Sequence, residues 1–104
     1  MDRIEKIKQM LAQSPGDSFL QHALALELIK AGDDASAKVI FNELLQANEN
    51  YVGSYYHLAK LLERTSERDA ALQTYKKGMQ VAQQAGDRHA YNELQAALED
   101  LEDD

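Results

Sequence analysis

Leu24-Ala25-Leu26-Glu27-Leu28 returns, 34 residues later, as Leu58-Ala59-Lys60-Leu61-Leu62. Working outward from this pair, Ala37 and Phe41 come back as Ala71 and Tyr75 at the same step, so the echo spans 18–51 and 52–85. A fixed period of this size, with two helix-spaced apolar patterns inside each unit, is the sequence mark of stacked helical hairpins. The small Ala25 and Ala37 suit a tight hairpin, because a larger side chain there would hold the two axes apart at an overpacking cost of roughly 1 to 3 kcal/mol.

The flanks extend the pattern. Ile4, Ile7, Met10 and Leu11 form one helical stripe from Asp2 to Gln13. Ile7, Met10 and Leu11 lie 34 residues before Phe41, Leu44 and Leu45, so this helix reads as the second half of a repeat whose first half is absent. Pro15-Gly16 then breaks the chain. Asp17 or Ser18 can cap a helix running to about Ala31, and Gly32 supplies a turn before Asp33 or Asp34 caps the next. In the second unit Ser66 replaces the turn glycine, and Ser66-x-x-Asp69 predicts a capping box at the start of a helix over about 67–84. Gly78 lies inside that helix at a cost of about 1 kcal/mol against alanine, which close approach by a neighbouring helix explains. Tyr91, Leu94 and Leu98 repeat Tyr55, Leu58 and Leu62 at 36 residues rather than 34, placing two added residues at the end of the preceding helix.

The spacing Leu-Ala-x2-Leu followed by Ala-x3-Phe or Ala-x3-Tyr resembles the tetratricopeptide repeat family over about Ile4 to Leu98. The fold this implies is all-α, a right-handed array of antiparallel helix hairpins with about six helices. Its divisions are an N-terminal half repeat over 2–17, full repeats over 18–51 and 52–85, a capping helix over 86–100 and an acidic tail over 101–104, all in one domain. Two departures from the family pattern stand out. The tryptophan-like position holds Tyr55 and Tyr91 but Gln21 in the first full repeat, and the closing proline occurs only at Pro15, with Glu49 and Gln83 at the later places.

By the same resemblance, the first helices of successive repeats line a concave groove that holds a protein or peptide segment. The groove positions here are Phe19, His22, Leu26, Ile29 and Lys30 in the first repeat, with Tyr56, Lys60, Glu63 and Arg64 in the second and His57 at the edge. Phe19 and Leu26, together with Tyr56 and the bases Lys60 and Arg64, suit a peptide with apolar anchors and an acidic group. The competing reading is that Phe19, Leu26 and Ile29 fill ordinary packing contacts. Where some family members clamp a terminal carboxylate with lysine and asparagine, His22 and Leu26 stand instead, so no such clamp is expected. An alternative role is self-association through the open end of the array, with Ile4, Ile7 and Leu11 meeting a second copy as a homodimer.

Composition excludes several other classes. The net charge is −7, and five acidic residues lie in the last six positions, leaving only −2 on the rest. Nucleic acid is not expected as a ligand, since its binding needs clustered Lys and Arg. The acidic end reads as a solvated, fraying helix terminus. No apolar run approaches the roughly 18 residues of a membrane span and Met1-Asp2-Arg3 begins no secretory signal, so a cytoplasmic protein without membrane association is expected. Zero cysteine excludes disulfides and thiolate metal sites and says little about compartment. His22, His57 and His89 include no i, i+4 pair, and no Gly-rich phosphate loop or nucleophile elbow occurs. Neither enzymatic activity nor a metal or other cofactor is expected.

Overall fold

The computed structural model describes residues 2–103; Asp104, the last of the acidic tail, lies outside them, as does Met1. Six helices follow in order: α1 (Arg3–Gln13), α2 (Ser18–Lys30), α3 (Asp34–Ala47), α4 (Gly53–Arg64), α5 (Arg68–Ala85) and α6 (Arg88–Glu102). No strand occurs among the described residues. They divide into two compact units, Met1–Asn48 and Glu49–Asp104.

In the first unit α2 packs against both α1 and α3. The short connections make α1 and α2, and α2 and α3, hairpin partners. Leu24, Ala25, Leu28, Ala37, Phe41 and Leu44 are buried, and Ala25 and Ala37 have no exposed surface at all, as a close hairpin crossing demands. The three helices start alike. Asp2, Asp17 and Asp33 each accept from the backbone N–H three residues on, at 2.9, 3.0 and 3.1 Å, satisfying a donor that the helix leaves open. Asn48, at the end of α3, donates through its amide to the Ser18 hydroxyl at 3.0 Å and ties the two ends of the hairpin.

The second unit is built on α5, which packs against α4 and α6. Ala59 and Ala71 repeat the fully buried pair, while Tyr75, Leu61 and Leu94 are the large side chains at its centre. Gly78 marks a close approach. A Cβ there would stand 2.7 Å from Tyr55 Cβ and 3.1 Å from Leu94 Cδ1, so α4 and α6 both close on the one bare position of α5.

Two local expectations are corrected. Ser66 does not cap α5: its backbone takes the left-handed conformation, φ 61°, in the place where Gly32 has φ 83°. Glu67 precedes the helix with no side-chain cap. The turn imposes the glycine geometry, and a serine carrying that geometry is not placed to cap. At the other end, α6 continues to Glu102 because Leu101 is buried and Arg68 donates to its carbonyl at 3.1 Å. The acidic end is therefore held as far as that residue instead of fraying from Asp100.

Candidate functional site

The groove candidates of the first unit all lie on α2. Phe19 is 68% exposed in its first turn, a large apolar side chain that no core contact explains. His22, Leu26 and Ile29 are half-buried. The His22 ring meets Phe41 of α3 edge-on, with centroids 5.9 Å apart, so this imidazole is partly a packing group. Lys30 is exposed and pairs with Glu27 at 3.3 Å; the same carboxylate oxygen receives Arg3 of α1 at 3.5 Å. Glu27 thus fastens α1 to α2, a role not anticipated from sequence.

On α4, the structure gathers Tyr56, His57, Lys60 and Glu63. Lys60 Nζ lies 5.7 Å from the Tyr56 ring centroid, within reach of its negative face, and 3.6 Å from Glu63 Oε2. That oxygen also accepts the Tyr75 hydroxyl. Tyr75 is fully buried, and its phenol is pushed far above the usual range, first by burial and then by the hydrogen bond to Glu63. It therefore stays a neutral donor and fixes the carboxylate that in turn fixes Lys60. His57 meets Tyr56 edge-on at 5.6 Å and is held below its ordinary pKa by burial, with Glu93 of α6 acting in the opposite sense. Arg64 is exposed in the last turn.

Tyr75 is the residue that sequence reading missed. Its signal was present: Phe41 becomes Tyr75 at the same 34-residue step at which Ile29 becomes Glu63, so a hydroxyl and its acceptor arrive together. Elsewhere, Gln21 and Tyr55 do the same work despite their different chemistry. Gln21 Nε2 donates to the Pro15 carbonyl at 3.5 Å, and Tyr55 Oη to the Glu49 carbonyl at 2.7 Å. Each fastens the start of a repeat to the chain six residues before it. The exposed His89 stands on α6, 3.9 Å from Glu93.

Solved structures resemble this chain closely. The solution structure of a tetratricopeptide repeat domain protein from Salinibacter ruber is 41% identical, with 85% of this chain and 89% of that one aligned at a TM-score of 0.82. A crystal structure of a tetratricopeptide repeat domain protein from the same organism is likewise 41% identical, covering 83% and 96% at 0.80. This chain belongs to the tetratricopeptide repeat family. A Bordetella parapertussis protein solved in solution is 26% identical and superimposes at 0.84 over 97% of this chain and 88% of its own. No family model matches, and no curated protein matches. As a tetratricopeptide repeat protein, the chain is a protein-interaction module in general terms. None of its described helices is long and apolar enough to cross a membrane.

Proposed function

We propose that this tetratricopeptide protein binds a peptide or protein segment through the faces of α2 and α4 that carry Phe19, His22, Leu26, Ile29 and Lys30, and Tyr56, His57, Lys60, Glu63 and Arg64. The observation that carries this reading is the Tyr56–Lys60–Glu63 set. A lysine held over an aromatic ring by a carboxylate that the core itself anchors has lost much of its conformational freedom before any partner arrives, so less ordering entropy opposes binding. Phe19 adds an exposed apolar anchor. An apolar side chain of a partner suits Phe19, and an acidic group suits Lys60. No catalytic role is proposed for any of these residues.

The test is capture of the partner from native lysate, its identification by mass spectrometry, and repetition with Tyr56→Ala/Lys60→Glu. That double variant is expected to retain helicity and lose the partner. Undiminished capture would remove the α4 face from the proposal.

A second reading is favoured by α1. Ile7 of its stripe is buried and Ile4 and Leu11 are half-buried, but Met10 is 53% exposed beside a hollow of about 500 Å³ bordered by Lys6, Gln9 and Gln13. Self-association would use this face. Light scattering after size exclusion should then show a dimer at high concentration that Met10→Glu dissolves; a strict monomer ends the reading.

A further inference from the structure

The first helices of the two full repeats, α2 and α4, are each tied back to a carbonyl six residues earlier, by Gln21 and by Tyr55. In α6 the same place holds Tyr91, but the two added residues change what lies behind it. α5 runs on to Ala85, and Gly86 turns the chain with φ 71°. The residue six positions before Tyr91 is now Ala85, inside a helix, and the Tyr91 hydroxyl has no hydrogen-bond partner among the described residues. What the broken tie leaves is a cleft of about 510 Å³ between the end of α5 and the start of α6, lined by Gln83, Gly86, Asp87, Arg88, Tyr91 and Asn92.

The lining is rich in donors. Besides the Tyr91 hydroxyl, the side chains of Gln83, Arg88 and Asn92 border the cleft, and none has a hydrogen bond or ion pair with another described residue. Asp87 differs, because its carboxylate accepts the Ala90 N–H at 3.0 Å and is already in use. One guanidinium with two amides and a phenol presents a fork of N–H groups flanked by neutral donors, the arrangement that receives a planar carboxylate. Arg88 is the one cation of this lining, so a singly charged carboxylate matches it better than a phosphate dianion, which would call for more cations; Asp87, whose carboxylate is turned to the Ala90 N–H, works against either. Its volume takes an amino-acid residue or two.

We propose that this cleft is a second binding site, one that takes the carboxylate of a peptide, with Arg88 as the principal contact and Tyr91, Gln83 and Asn92 as supporting donors. It is separate from the reading of α2 and α4 and does not depend on it. The site arises from the 36-residue spacing, which releases Tyr91 from the structural work that Tyr55 performs.

The experiment is a titration of the ¹⁵N-labelled full chain, followed by two-dimensional NMR, with three short peptides. One is acetylated with a free C-terminus and no acidic side chain. A second is acetylated and amidated with one glutamate, and the third replaces that glutamate by glutamine. Saturable shifts at the Gly86 amide and the Gln83 and Asn92 side chains are expected with a carboxylate peptide and not with the glutamine control. Whichever carboxylate peptide binds shows whether a chain end or a side chain is the source. Arg88→Gln should weaken the binding at least about tenfold and Tyr91→Phe a few-fold, as loss of a charged and of a neutral hydrogen bond would do. Both positions are at the surface, and an otherwise unchanged spectrum shows that the variants fold. The proposal is overturned if neither carboxylate peptide moves these signals, if the glutamine peptide moves them equally, or if Arg88→Gln binds like the parent.

Discussion

The α2–α3 hairpin and the α4–α5 hairpin descend from one pattern, and where they differ they differ in pairs. Ile29 and Phe41 in the first become Glu63 and Tyr75 in the second, exchanging an apolar couple for a hydroxyl and its acceptor. Gln21 and Leu44 become Tyr55 and Gly78, exchanging a slim side chain and a buried leucine for a ring and the bare backbone it presses on. The repeat therefore constrains combinations of residues more than single positions. A large residue is tolerated where its neighbour has been reduced, and a polar one where its neighbour can answer it.

Crossing the two hairpins is the hardest way to strain this comparison. Gly78→Leu installs the first hairpin's residue in the second, against Tyr55 Cβ at 2.7 Å, and should cost about 3 kcal/mol, lowering the melting temperature by roughly 15 °C. Adding Tyr55→Gln should recover part of that loss. If the double variant is no more stable than Gly78→Leu alone, size compensation is not what links the two positions.

The polar pair should show the same logic at smaller scale. Glu63→Ile strands the buried Tyr75 hydroxyl and should cost about 2 kcal/mol in urea unfolding, while Tyr75→Phe alone should cost about 1 kcal/mol. Together they reproduce the first hairpin, and the double variant should be more stable than Glu63→Ile, with a coupling of about 2 kcal/mol. Additive losses would mean that the bond contributes little to the fold.

Most of the architecture was legible because it rests on residues that repeat. The alanine pair at each hairpin, the aspartate caps before α2 and α3 and the approach at Gly78 were all readable from spacing and turn chemistry. Resemblance named the faces of α2 and α4, yet no single-position reading shows how their side chains engage. Lys60 reaches Tyr56 and Glu63 because Tyr75, on another helix, fixes the carboxylate, and that depends on packing between helices. Ser66 misled for a related reason. Serine before a helix reads as a cap, but here the turn geometry inherited from the glycine position outweighs the preference of its side chain. Leu101 was set aside with the charges around it, although helical spacing from Leu94 and Leu98 carries the buried face to that point.

The turn offers a milder test. Ser66→Gly should raise stability by about 0.5 kcal/mol, since relief of the left-handed backbone is partly offset by the added freedom of the unfolded chain; Gly32→Ser should lower it by about 1 kcal/mol. Equal and small effects at both positions would show that the two turns do not share a strain.

The smallest expected difference concerns pH. The first hairpin has Ala23 where the second has His57, so only the second carries an imidazole at that place. Burial lowers the pKa of His57 from 6.5, and Glu93 on α6 opposes that shift without cancelling it. The folded protein thus declines a proton that the unfolded chain accepts. Stability should begin to fall as pH drops through about 6.5 and level off once the folded form is itself protonated. Urea midpoints measured at about pH 7.5 and at about pH 5.5 should differ more for the parent than for His57→Gln, because only the parent binds more protons when unfolded over that window. Parallel losses in the two proteins would assign the pH dependence to groups other than His57 and leave His57 as a packing group against Tyr56, which is the part His22 plays against Phe41 in the other hairpin.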